Sequence, residues 1–280
     1  MACLRLTSPA LPKSLTSVVS SKTKLIGRRK SQAPPGAERD HRASPKSTYD
    51  WTGVYVGGFV GGASSAKTNT TDPYRPSNGN WWSSPYTAPY DYTTSASFIG
   101  GGTVGYNWQI GKTAYLIGLE GEYGYLSMDG SGIDPNNAAW NLANPSPSPV
   151  SATHNTKIGG NYGYGLVGGR IGYAFDKTLF YIKSGAVFTK TQTNYSDGSF
   201  LNTSGSSNTP GYAIGAGIEY ALPSQWFKLA KNITIKTEYL YFGINRTQTS
   251  SGNNFNGNLY TTTDSISGIS TAKIGVNYKF

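Results

Sequence analysis

Over the C-terminal thirteen residues, Gly268 to Phe280, apolar and polar positions alternate with period two. Ala272, Ile274, Val276, Tyr278 and Phe280 share one face, and Thr271, Lys273, Gly275, Asn277 and Lys279 share the other. That is a strand with one side turned away from water. The same alternation recurs upstream. In 114–126, Tyr115, Ile117, Leu119, Tyr123 and Tyr125 oppose Glu120 and Glu122; in 211–221, Tyr212, Ile214, Ala216, Ile218 and Tyr220 oppose Glu219. Val167, Ile171, Tyr173 and Phe175 oppose Arg170, Ile182 and Phe188 oppose Lys183, and Ile235, Tyr239 and Tyr241 oppose Lys236 and Glu238. The pattern predicts eight strands, near 51–63, 97–109, 114–126, 162–175, 179–191, 211–221, 232–245 and 268–280. The first is ambiguous, because glycine and apolar residues occupy both its faces.

The connections alternate long and short. Segments 64–96, 127–161, 192–210 and 246–267 are long, whereas 110–113, 176–178 and 222–231 are short. An even strand number with this rhythm fits an up-and-down barrel whose short turns lie on one side of a membrane and long loops on the other. Charge placement separates this from a soluble barrel, whose charged face meets water. Here the polar face is glycine-rich, with few charges of mixed sign: Glu120, Glu122, Glu219 and Glu238 against Arg170, Lys183, Lys236 and Lys273. Such charges suit a narrow lumen and are expected to pair there, since a buried unpaired charge costs several kcal/mol, of order 3–5. Aromatics near strand ends (Trp51, Trp108, Tyr125, Tyr173, Phe175, Tyr220, Tyr241, Phe242, Tyr278 and Phe280) are expected to form girdles at the lipid interfaces. The fold expected over 50–280 is all-β, an eight-stranded antiparallel transmembrane up-and-down β-barrel in a Gram-negative outer membrane.

Composition agrees. Only 37% of the 280 residues are hydrophobic and 14% charged, while Gly (36) and Tyr (21) are abundant. No run approaches the roughly 18 apolar residues of a membrane helix. The basic excess sits mostly in residues 1–50, with ten Lys/Arg and three acids, so a folded nucleic-acid-binding face is not supplied. Residues 1–49 lack apolar periodicity and a 7–15-residue apolar export core. They are expected to be a disordered basic leader or a signal region whose start codon is misplaced. Cys3 is the only cysteine, which excludes an internal disulfide and a cysteine-based metal centre.

Several segments resemble an alphaproteobacterial family of outer-membrane surface antigens and haemin-binding proteins, relatives of the outer membrane protein A-like barrels. They are Asp50-Trp51-Thr52-Gly53-Val54-Tyr55-Val56-Gly57-Gly58, Gly168-Gly169-Arg170-Ile171-Gly172-Tyr173-Ala174-Phe175-Asp176, Lys236-Thr237-Glu238-Tyr239-Leu240-Tyr241 and Gly275-Val276-Asn277-Tyr278-Lys279-Phe280. The resemblance covers about 50–280. It implies that Tyr278 and Phe280 are read by the barrel-assembly machinery; the other partners expected, from the apolar face and the long loops, are outer-membrane lipid, lipopolysaccharide and a host or environmental ligand.

Candidate chemistry is sparse. The only histidines are His41 and His154, and no nucleophile stands out near either, so no enzyme is expected. Gly163 to Gly168 formally matches a dinucleotide-binding glycine motif, but it lies within a strand and no helix follows. His154, with Tyr74, Tyr86, Tyr90, Tyr92 or Tyr260, is a candidate haem ligand, and the resemblance adds weight to it. The competing reading is a solvated loop histidine. The 64–96 segment, with Trp81 and Trp82, is the candidate for contacting an outside partner. Eight strands leave a lumen that side chains fill. The function expected is therefore structural and surface-exposed, in envelope integrity, adhesion or antigen display. The alternatives are a low-conductance porin or a haemin receptor.

Overall fold

The computed structural model describes residues 49–65, 69–76, 90–111, 113–135, 141–142, 145–147, 152–196, 202–223, 225, 230–244, 246–253 and 259–280. Apart from Tyr49, the expectation for 1–49 lies outside these residues, as do Trp81, Trp82 and Tyr86. The strands are β1 (Gly53–Ser65), β2 (Asn69–Pro76), β3 (Tyr90–Tyr92), β4 (Ser97–Gln109), β5 (Tyr115–Ile133), β6 (Thr153–Gly159) and β7 (Tyr164–Phe175). They continue with β8 (Thr178–Ser196), β9 (Asn202–Ala221), β10 (Ile233–Gly243), β11 (Arg246–Asn253), β12 (Leu259–Ile266) and β13 (Ile269–Lys279).

Eight of them close a ring, each antiparallel to its neighbours: β1–β4–β5–β7–β8–β9–β10–β13 and back to β1. Closure runs from Tyr55 opposite Lys279 to Ser65 opposite Ile269. It leaves no open edge in the ring, which is what a sheet in lipid requires. The outward face is apolar in water-exposed terms: Val60, Val104, Leu119, Val167, Ile171, Ile182, Ile214 and Ile274 are all exposed. On β5 this face runs from Tyr115 to Tyr125 and then turns polar at Ser127, Asp129 and Ser131. Ten residues at about 3.3 Å each, tilted about 40°, span roughly 25 Å of the barrel axis, the height of an outer-membrane apolar band.

The glycine-rich first strand is settled by its closure. Val54, Val56 and Val60 point out, while Tyr55, Phe59 and Ala63 point in. Inward Gly61 has no alternative, since a Cβ there would stand 2.0 Å from the Ala272 carbonyl oxygen.

Two aromatics depart from the expected girdle. Trp51 and Phe242 are buried inside, each 1% exposed. Phe242 follows Tyr241 directly, so strand alternation must send one of the two inward. Trp51 precedes β1 and folds into the barrel mouth against Leu116, Ala174, Leu179, Tyr181 and Ala221, with Tyr49 packed on it.

The long connections also differ from the expectation of loops. Upper β5 pairs β6, β6 pairs β8, and β8 pairs β9 down to Ser196 opposite Asn202. β9 then meets β11 at Ser204–Ser251, β11 pairs β12, β12 pairs β2 and β2 pairs β3. A bridge between Thr94 and Gly130 returns to β5. The barrel thus continues as a second ring, a collar standing beyond the apolar band. Periodicity missed it because in water the outer face is as polar as the threonine-rich inner one. Thr191 and Thr209 hydrogen-bond each other at 2.9 Å, and Thr203 and Thr262 at 3.2 Å.

Candidate functional site: a charged lumen and a histidine hub

The inward positions of the membrane-spanning ring stack in layers. Trp51 and its neighbours close one end. Phe59, Ile99, Leu126, Leu166, Leu240 and Phe242 fill the other, beneath the collar. Between them lie the eight charges expected in the lumen: Glu120, Glu122, Arg170, Lys183, Glu219, Lys236, Glu238 and Lys273. Each is at most 5% exposed, and positive and negative groups are equal in number.

They form one connected network. The Lys183 ammonium bonds Glu120 and Glu122 and lies 3.5 Å from Glu238. Lys236 is 3.3 Å from Glu120, and Lys273 is 2.7 Å from Glu122 and 2.8 Å from Glu238. Arg170 pairs Glu219 at 3.0 Å and approaches Glu120 at 3.7 Å, while its Nε donates to Asn107 at 2.8 Å. Its guanidinium is sandwiched between Tyr55 (4.7 Å) and Tyr181 (5.0 Å). Carboxylate lone pairs left over accept from hydroxyls and amides. Tyr55 donates to Glu120 at 2.5 Å, Tyr164 to Glu122 at 3.1 Å, Tyr181 to Glu238 at 3.0 Å and Asn277 to Glu219 at 2.8 Å, and Thr234 also bonds Glu219. Arg170 Nη2 and Asn277 Oδ1 have no hydrogen-bond partner, but every charged group has an ion-pair partner, the condition under which buried charge is tolerated.

These tyrosines and asparagines were not singled out from sequence, although a signal existed. Tyr181 shares Lys183's face, and Tyr164 shares Arg170's, by simple parity. Glu120, Glu122 and Glu238 bring carboxylate oxygens within 4.8 Å of one another, a spacing compatible with a metal ion. The Lys183 ammonium already touches all three, so a lysine does there what a cation would.

The second site is in the collar. His154 is a strand residue of β6, opposite Gly132 and Tyr195, and it is fully buried. This corrects the expectation of a loop position; the histidine is buried by the collar strands that periodicity did not reveal. All four long connections contribute to its surroundings. From the first, Tyr92 stacks on the imidazole (5.7 Å, 19° between planes), and the Tyr90 hydroxyl lies 3.2 Å from Nδ1. From the third, Tyr195 packs at 5.1 Å. From the fourth, Asp264, also fully buried, pairs Nε2 at 3.0 Å. Tyr92 further bonds Thr156 and reaches Asp264 Oδ1 at 3.4 Å. Burial, with Asp264 next in effect, pushes the Tyr92 hydroxyl well above the ordinary tyrosine range, and burial does the same to Tyr90. The side chains of Tyr74 and Tyr260 are outside the described residues. Asp264 and Tyr195 had no sequence signal beyond polar residues in an aperiodic stretch.

At the terminus, Tyr278 and Phe280 pack edge to face at 5.2 Å, with Phe280 71% exposed beside the closing strand.

Residues 42–280 match the profile described as outer membrane protein beta-barrel domain. The chain is 27% identical over 246 residues to the 31 kDa outer-membrane immunogenic protein of Brucella melitensis and of Brucella suis, covering 85% of this chain and 87% of each relative. Among solved structures it is similar to the outer membrane protein OprG of Pseudomonas aeruginosa, with TM-score 0.48 and 11% identity over 84% of this chain and 99% of that one. It is also similar to Neisserial surface protein A, with TM-score 0.34 and 14% identity over 82% and 98%.

Proposed function

The chain belongs to the outer membrane protein beta-barrel domain family, and from that premise we propose that it is a sealed, non-enzymatic scaffold displaying its collar and loop tips at the cell surface. It is an integral protein of the Gram-negative outer membrane, similar to surface antigens. One observation carries the scaffold reading: the lumen holds a neutral, fully paired network of eight charges between two apolar layers. A conducting path would have to break several buried ion pairs at once, at about 3–5 kcal/mol for each group left uncompensated. The name of the Brucella relatives, an immunogenic protein, supports exposure of the outer end. Lipid and lipopolysaccharide are the partners that the apolar band and the collar base fit. The exposed Phe280 and its strand are the parts that fit an assembly receptor.

The haemin reading has less support. In this structure Tyr90 and Asp264 engage the two ring nitrogens of His154, and the imidazole is enclosed. Planar-bilayer recording of the purified full chain tests the scaffold. Electrical silence is expected, and stable unitary steps from the wild type would favour the low-conductance porin instead.

A further inference from the structure

Three kinds of outer surface follow one another up one side of the molecule, across β5, β6 and β8. The apolar band ends there at Tyr125 on β5 and Phe188 on β8, with exposed Tyr162 in the turn that leads into β7. The next outward residue on β8 is Lys190. Lys157 of β6 faces outward, opposite Asp129 on one side and Gln192 on the other. Gln192 is two residues from Lys190 on the same face, so the two lysines are diagonal neighbours, about 7–8 Å apart. Both side chains lie against one short turn, Gly160–Tyr162. The Lys190 ammonium is 4.0 Å from the centre of the Tyr162 ring, and a Cβ on Gly160 would stand 2.9 Å from Lys157 Cε. Beyond them the outer wall of the collar is hollowed into an open concavity of about 530 Å³, whose lining includes Ser95, Asp129, Asn155, Lys157 and Asn194. Asp129, the one acid in that lining, is 3.6 Å from Lys157, and both side chains are open to water. So exposed a pair holds its ammonium weakly, which leaves an excess of positive charge at the foot of the hollow.

We propose that this column is a docking site for lipopolysaccharide, the phosphorylated glycolipid of the outer leaflet, with Lys157 and Lys190 taking its phosphates. The order of the surfaces matches the order of such a molecule. Acyl chains lie on Val167 and Phe188, phosphates meet the lysines, and sugar hydroxyls exchange hydrogen bonds with Asn155 and Asn194. An ammonium offers three donors and a compact charge to phosphate, and cations at a membrane surface draw anionic headgroups. An anionic phospholipid would use the lysines alone; the polar hollow above them is what a sugar-bearing headgroup fills. The proposal rests on the reading that the collar stands outside the cell, where this glycolipid is.

The test titrates the full chain, refolded in detergent micelles, with purified bisphosphorylated deep-rough lipopolysaccharide and counts complexes by native mass spectrometry. A one-to-one complex is expected, which the dephosphorylated glycolipid does not form and excess phosphatidylglycerol does not displace. Lys157→Gln combined with Lys190→Gln should lower affinity about thirtyfold, a factor of about five for each lysine. Lys177→Gln, in the short turn between β7 and β8 at the other end of the barrel, should leave it unchanged. Surface exchanges of this kind cost little stability, and the heat-modifiable gel shift confirms folding. A loss smaller than about fivefold in the double variant, equal binding of the dephosphorylated glycolipid, or displacement by phosphatidylglycerol overturns the proposal. In micelles either end of the barrel meets the glycolipid, so a collar facing the periplasm would still bind. That orientation fails separately, if Asn202→Cys on intact cells resists a membrane-impermeant maleimide.

Discussion

Lys183→Met is the most direct probe of the lumen. The substitution keeps the volume and removes the ammonium that touches Glu120, Glu122 and Glu238. Carboxylate oxygens within 4.8 Å of one another then face each other with less compensation. At an effective dielectric of about 20, two unit charges at that separation repel by about 3.5 kcal/mol. Lys236 and Lys273 remain as partial partners, so the expected loss is the usual cost of an orphaned buried charge, about 3–5 kcal/mol. Adding Glu122→Gln returns the network to neutrality. The double variant should therefore lose about 2–3 kcal/mol less than the sum of the two single changes. Urea unfolding in lipid vesicles, followed by tryptophan fluorescence, measures all four proteins of this cycle. Losses that add to within about 0.5 kcal/mol would show that these charges do not act as one network.

Two further perturbations bear on the outward face and the closed mouth. Leu119→Arg, at the outward position that is 72% exposed, should cost about 2–4 kcal/mol in bilayers; a change within about 0.5 kcal/mol, usual for a water-facing surface, would remove Leu119 from lipid. Trp51→Ala should cost about 3–5 kcal/mol by emptying a buried site while leaving bilayer conductance silent, since the charged layer beyond it stays intact. Conductance appearing in that variant would assign the seal to Trp51 rather than to the ion pairs.

How much of this was legible depended on solvent. Where the outside is lipid, period two is loud: 97–109 coincides with β4, and every charge assigned to the lumen from Glu120 to Lys273 lies there. Where the outside is water, β6, β11 and β12 read as loops, because Thr and Asn alternate with residues no less polar. His154 was visible only as a residue type, since the partners that bury it come from connections carrying no register of their own. Trp51 and Phe242 were misplaced for a different reason: proximity to a strand end says nothing about which way a side chain turns.

β9 runs unbroken from Asn202 to Ala221, and its last outward-facing aromatic on the collar side is Tyr212. Ten further residues, at about 3.3 Å each and tilted about 40°, raise its tip roughly 25 Å beyond the hydrocarbon boundary. The end of this strand is thus hoisted on a hydrogen-bonded stalk above the lipid headgroups and the sugars nearest them. Substitutions near Asn202 can therefore be made without disturbing the staves that hold that end up.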